Sequence, residues 1–398
     1  MNKEIGHSKS VWPIVGVFLT LITVAISVNI IPPLVTTIAD AMAVHYTSFS
    51  YIMMFQLLSF CLAGIIGGWI CEHGSFNSRT FVLVGLLVVG LTLLVGSTLT
   101  RLRWFAVWAI PLGFGAGFVE IFGSILIAHS EKPNSSKLQN LFHVFFCVGA
   151  ISAPPIVAAM LYLNMPWQHV FILFGLFILL VLYAFFLLTR KGLTNAGHSV
   201  QKENNYSTSL LKDSLFILLA ATLLIYLVCE SLVACWVAAY FEKQLLCSVH
   251  SAALRLGVFW GGVIFGRLVI LLVPRRLTLW PAMFAGAGVM CLSAIFAWLT
   301  LWPLLATVAI FLAGVGAAPI FPTTVAICHS ARHRSRFTSY VISTGIFGGV
   351  LGAGLGLIIF RYLDLGLFFP SLASGCVILL VLSFLSYRQY CRTRDPEE

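Results

Sequence analysis

Charge is what this sequence has least of. Only nine per cent of its 398 residues are Asp, Glu, Lys or Arg. That is too little polar surface to keep a chain of this length dispersed in water, which excludes an ordinary soluble domain. Its ten cysteines form no Cys-x-x-Cys pair and no cluster with histidine at ligand spacing. They read as buried free thiols, with no metal site. No phosphate-binding glycine loop, nucleophile elbow or ATP-pump motif is present, so no enzyme chemistry, cofactor or ATP-driven step is expected. A cleavable signal is not expected either, because Met1 to Ser10 is short and polar and runs into an apolar stretch too long for a signal-peptide core.

Apolar residues fill the space that charge leaves. Sixty per cent of the chain is hydrophobic and its mean hydropathy is +1.01. Matched against the ~20 residues a helix needs to cross the hydrocarbon core, the apolar runs predict twelve spans. They lie at roughly 11–38, 48–71, 80–99, 104–128, 138–163, 168–189, 213–241, 251–273, 279–299, 302–328, 337–360 and 366–387. Lys and Arg are retained on the cytoplasmic side and set the orientation. With both termini inside, 18 of the 23 basic residues are cytoplasmic, leaving Arg101, Arg103, Lys243, Arg255 and Arg361 on the other side. The net charge of +10 follows from that bias and requires no nucleic-acid partner.

The longest polar stretch, RKGLTNAGHSVQKENNYSTSLLK at 190–212, suits a flexible cytoplasmic linker. The expected fold is an all-α membrane protein of twelve transmembrane helices in two six-helix, pseudo-symmetric bundles. These are residues 1–190 and 213–398, the second with a short cytoplasmic tail, joined by the linker 191–212. Such a chain is expected to be a multi-pass monomer in the cell (inner) membrane. Its expected partners are the lipid bilayer, a small-molecule substrate and a coupling ion, the proton.

One stretch is spelled twice. Residues 113–130 read GFGAGFVEIFGSILIAHS and residues 314–330 read GVGAAPIFPTTVAICHS, each in the fourth apolar segment of its half. A second echo pairs VGAISAP (148–154) with GGVLGAG (348–354), placing Gly149 and Gly349 at equivalent positions. Small residues on one face let membrane helices approach closely. Shared order and offset favour duplication, and two similar halves around a midplane site is how many secondary transporters are built.

With NLFHVFFCVGAISAPP (140–155), CESLVACWVAAYF (229–241), FWGGVIFGRL (259–268), GVGAAPIFPTT (314–324) and GFGAGFVE (113–120), the chain resembles the major facilitator superfamily. Within that superfamily it is most similar to the fucose-permease-like sugar transporters. The resemblance implies rocking of two bundles about a central site. It also implies a gating role for the charges at the cytoplasmic loop ends: Glu72 and Arg79 in GGWICEHGSFNSR (67–79), and Arg267, Arg275 and Arg276 after Gly266. The first of these loops departs from the superfamily pattern by lacking its Asp-Arg pair, which leaves that role open.

Ionisable groups within the hydrocarbon are costly and read as functional by default. Glu120, inside segment four, suits a group that takes up and releases a proton as the cavity changes sides; the alternative is a structural hydrogen bond between helices. The resemblance implies the former, since fucose-permease-like carriers have a coupling glutamate at the matching place. Ser124 lies on the same helix face. Glu230, in segment seven, with Trp236 and Tyr240 beyond it, suits a sugar site. The alternative makes the two aromatics interface-belt residues, the favoured reading for Tyr240.

Asn140 and His143 open segment five. The resemblance implies a cavity-facing polar side chain at His143, against a buried, satisfied histidine. Asn29 is a further candidate, though Pro32 and Pro33 suggest that it answers backbone groups freed by a kink. Arg255 reads as an outer gate or a snorkelling side chain, with pairing to Glu230 or an anionic substrate as alternatives. Segment one lacks the second carboxylate of fucose-permease-like symporters, so either Glu120 couples alone or Glu230 supplies the second site.

The expected function is secondary active transport of a small polar solute, a sugar favoured, by proton-coupled alternating access. Substrate contacts are expected at Asn29, Glu120, Ser124, Asn140, His143, Glu230 and Trp236. The rival expectation is an exporter of an amphipathic compound such as a drug, lipid or siderophore-like metabolite.

Overall fold

A computed structural model describes residues 12–73, 77–130, 135–190, 213–272, 279–330 and 334–393. Side chains at 71–73, 128–130, 135–140, 271, 329–330, 334–339 and 393 are not described. The expected linker 191–212 and the gate candidates Arg275 and Arg276 lie outside the described residues. So do the side chains of Glu72 and Asn140.

In hydrocarbon every backbone N–H and C=O must be satisfied within its own segment, which selects helices for an apolar chain like this one. All regular elements among the described residues are helical. Twelve are long and apolar enough to span a bilayer. We number them span 1 (Trp12–Ala41), 2 (Tyr46–Ile70), 3 (Ser78–Gly96), 4 (Leu102–Ile127), 5 (Leu141–Tyr162), 6 (Trp167–Thr189), 7 (Ser214–Lys243), 8 (Val249–Ile270), 9 (Trp280–Trp298), 10 (Pro303–Cys328), 11 (Tyr340–Tyr362) and 12 (Leu365–Arg392). Their number and order match the reading from hydropathy.

Packing repeats between the halves. Span 1 lies against 4, 5 and 6, span 2 against 4, and span 3 against 4 and 6. In the second half, span 7 lies against 10, 11 and 12, span 8 against 10, and span 9 against 10 and 12. The spelled repeat sits at the closest crossings. A Cβ on Gly115 would lie 3.0 Å from Gly85 O, and one on Gly316 would lie 2.6 Å from Gly286 O. Backbones this close leave no room for a side chain, and the two glycine pairs are the same feature of spans 3 and 4 and of spans 9 and 10.

The second echo does not pair Gly149 with Gly349. Gly149 presses on the Ile22 carbonyl of span 1, and the glycines that press likewise on the span 7 backbone are Gly348, at Leu224, and Gly352, at Val228. Gly349 instead faces Ser231 and Leu57.

Two spans are interrupted, each at proline. Span 1 is a helix to Asn29, a short 3-10 turn Pro32–Leu34, and a helix Val35–Ala41. Span 10 breaks between Ala317 and Ile320, at Pro319, where the missing amide hydrogen ends the ladder. The offset that superposes the glycine pairs carries Glu120 onto Phe321, so the unbroken copy holds the carboxylate and the broken copy a ring.

The halves meet along two seams, span 2 with span 11 and span 5 with span 8. The 3-10 turn of span 1 also touches spans 7 and 8. Even span number puts Trp12 and Arg392, the outer ends of spans 1 and 12, on one face of the bundle, the terminal face; the other is the far face. Far-face loops are tight: spans 1, 5 and 7 run into left-handed residues Ala43, Asn164 and Leu246, each with φ 53°. The following N–H in each case folds back to the helix, as Val44 does to Ala39 O at 3.0 Å.

Candidate functional site

The seam between spans 5 and 8 is polar at its terminal-face side. Tyr226 and Glu230 stand four residues apart on span 7, hence on one helix face, and the Tyr226 hydroxyl donates to Glu230 Oε2. Arg267 stands on span 8. Arg267 Nη1 donates to His143 O at 3.0 Å and lies 3.0 Å from Cys147 Sγ, both on span 5. Its Nε is buried with no partner among the described residues. A buried cation needs hydrogen-bond acceptors, and span 5 supplies them; no ion pair joins Arg267 to Glu230 among the described residues. Arg267 thus joins span 8 of the second half to span 5 of the first.

His143 meets Arg267 through its backbone, while its half-buried ring faces Phe321 at 6.3 Å. Phe321 is the residue that the internal symmetry sets opposite Glu120. Glu120 itself stands apart. It is half-buried in span 4, and among the described residues no hydrogen bond, ion pair or neighbouring charge reaches it. Ser124, one turn along, is half-buried and already engaged.

Asn29 is buried and bonded twice. Its Nδ2 donates to Ala25 O at 2.9 Å, and its Oδ1 accepts from Trp260 Nε1 of span 8 at 2.9 Å. It thus ties the kinked part of span 1 to the second half. Gln56 of span 2 adds a bond to Ser27 O at 2.7 Å just before the kink.

Several expected residues are placed elsewhere. Trp236 is fully buried between spans 7 and 11, with Nε1 donating to Ala353 O at 3.1 Å and its ring stacked on Phe360 at 4.9 Å. No ring face is left there for a solute. Tyr240 is likewise buried, stacked on Phe368 at 4.9 Å, rather than standing in an interface belt.

Arg255 does not meet Glu230. It reaches Ser251 Oγ at 3.2 Å and lies over the Phe241 ring at 5.3 Å. Arg79 binds the end of span 6, at Thr189 Oγ1 (2.8 Å) and Phe186 O (3.2 Å). These bonds stay within its own half. A groove of about 320 Å³ between spans 8, 9 and 10, walled by Ile270, Ala285, Val289 and Pro319, is lined by apolar side chains and includes none of the seam's polar residues.

The far face carries contacts that sequence reasoning missed. Thr36 Oγ1, at the end of span 1, donates to Glu242 Oε2, at the end of span 7, at 2.5 Å. Glu242 also pairs with Lys243 at 2.8 Å, and Lys243 lies over the Tyr46 ring at 5.8 Å. The signal available was an adjacent acid and base closing an apolar helix. Tyr226 was legible too, one turn before an intramembrane carboxylate.

The comparisons with known proteins agree with this architecture. The glucose/mannose transporter GlcP of Bacillus subtilis (strain 168) is 28% identical over 322 residues, 76% of each chain. A crystal structure of the peptide transporter POT with alafosfalin matches 98% of this chain and 96% of its own, with TM-score 0.76 at 14% identity. That of the nucleoside transporter NupG matches 95% and 99%, with TM-score 0.75 at 11% identity. The sequence pattern of the Major Facilitator Superfamily matches residues 17–352. With twelve spans, two halves packed alike and polar contacts on the seam between them, the chain belongs to the Major Facilitator Superfamily.

Proposed function

We propose that this transporter moves a small polar solute, a sugar, by proton-coupled alternating access, as a monomer in the cell membrane with both termini cytoplasmic. The observation that carries the reading is the polar seam. The bond of Arg267 to the His143 carbonyl crosses between the halves and opens and reforms if they rock; Tyr226 bonds Glu230 on span 7, and Glu120 in span 4 has no partner among the described residues. Charged groups are retained inside a membrane bundle where they line a solute or ion path. Sugar is favoured because the identified relative is named a glucose/mannose transporter. Glu120 is the coupling group in this reading, exchanging its proton as access alternates. Ser124, Asn140, His143 and Glu230 are the solute contacts, and Arg267, Arg275 and Arg276 hold the terminal-face gate, with Glu72.

Counterflow in liposomes tests it without assuming any coupling ion. Vesicles are preloaded with unlabelled solute and offered labelled glucose, mannose, fucose, a nucleoside, a dipeptide or a hydrophobic cation. Exchange of one or more sugars is the expected result. Exchange of the hydrophobic cation alone would replace this reading with that of an amphipathic-compound exporter.

A further inference from the structure

Next to the contacts that close the far face lies one residue that the transport cycle above does not use. His45 lies in the loop between spans 1 and 2, exposed at the rim. It is the N-cap of the 3-10 turn Tyr46–Ser48 that opens span 2. The Thr47 N–H points at its Nδ1 at 3.4 Å, and the Thr47 hydroxyl lies 2.7 Å from the same atom. Its ring stacks on Tyr46 at 4.6 Å.

Tyr46 is the keystone between the halves. Its ring meets Phe360 of span 11 edge-on at 6.4 Å and supports the ammonium of Lys243 from span 7. Beside it, Thr36 and Glu242 make the bond between spans 1 and 7. The charges that act on His45 are Arg361, at the end of span 11, and Lys243. Among the described residues the acid in contact with either is Glu242, paired to Lys243. Asp364, in the next loop, caps Gly366 N instead, and Asp40 is exposed at the end of span 1.

We propose that His45 is a proton-binding site on the far face, separate from the intramembrane carboxylates, whose protonation loosens the seal between the halves. A neutral ring accepts from Thr47 N–H. A protonated one makes Nδ1 a donor, expels that N–H, and sets a third positive charge beside Lys243 and Arg361 across the seam. Partial burial first, then Arg361 and Lys243, hold His45 below its ordinary 6.5. A group so depressed in the sealed state supports sealing fully above about pH 6.5 and withdraws that support as the pH falls. The far face would then open toward an acidic compartment, which is the outside if the termini are cytoplasmic.

The proposal rests on the alternating-access reading, so its test is made without solute. Spin labels at Asp40→Cys and Leu363→Cys, with Cys247 and Cys391 changed to serine, report far-face separation in nanodiscs. The long-distance population should rise about fivefold between pH 7.5 and 5, the effect of losing one helix-type cap. His45→Asn, an uncharged cap, should hold the sealed distance at both pH values, and His45→Lys should shift toward the long distance at both. Glu120→Gln should keep the response. Unchanged pH behaviour in His45→Asn, or its loss in Glu120→Gln, overturns the proposal. Separation that responds to solute but not to pH overturns the His45 site and leaves alternating access standing. No movement under any condition overturns both.

Discussion

Glu230 is tolerable inside span 7 because of what surrounds it. The Tyr226 hydroxyl satisfies one of its oxygens. Tyr226→Phe keeps the ring and removes only the donor. Leaving a buried acceptor unsatisfied costs about 1–3 kcal/mol, so this variant should melt earlier than the parent in detergent and bind solute more weakly. Equal melting and equal binding would mean that the hydroxyl does not support Glu230. Glu120, with no partner among the described residues, should respond differently: its amide variant should retain the melting temperature and lose coupling. The sequence pointed to both carboxylates because either is conspicuous in an apolar run. It could not supply Arg267's partners, since the His143 carbonyl and Cys147 thiol are more than a hundred residues away and neither is a residue type that advertises cation binding.

Helices in this bundle are positioned by where they lack side chains. Gly85 with Gly115, and Gly286 with Gly316, bring backbones together at two symmetry-related crossings. Alanine at Gly115 or Gly316 should destabilise by about 1–3 kcal/mol, the usual cost of overpacking, and to a similar degree in each half. Gly64, Gly68 and Gly288, where an added Cβ meets nothing within 4 Å, should tolerate alanine with no loss. Thermal unfolding of the five detergent-solubilised variants checks this; a loss at Gly288 as large as at Gly316 would refute it.

Element count, order and the glycine repeat were readable because hydrocarbon thickness fixes helix length and close crossings demand small residues. Which face of a span looks inward was less readable. Membrane helices that pack on both sides carry apolar residues all round, so Trp236 read as a solute platform when it is a packing ring against Phe360. The same uniformity hid Trp260, whose indole N–H is the donor to Asn29.

The whole molecule is two similar bundles held by contacts that differ in kind along the membrane normal. The far face is closed by Thr36, Glu242, Lys243 and Tyr46, and Asn29 with Trp260 lies deeper. The network of Arg267 is deeper still, toward the terminal face. If rocking exchanges access, the far-face contacts must part once per cycle. Thr36→Cys with Glu242→Cys, joined by a short thiol crosslinker, should stop uptake, and a cleavable crosslinker should restore it on reduction. Full uptake with the pair crosslinked would show that spans 1 and 7 need not separate.

The central claim is that solute and proton move together through Glu120. Its most direct test is the pH outside weakly buffered proteoliposomes as a transported sugar is added. The account predicts that the exterior turns alkaline on adding sugar to the parent protein. Glu120→Gln should give no pH change while still exchanging sugar in counterflow. Sugar flux with no pH change in the parent, or continued alkalinisation in Glu120→Gln, would contradict it.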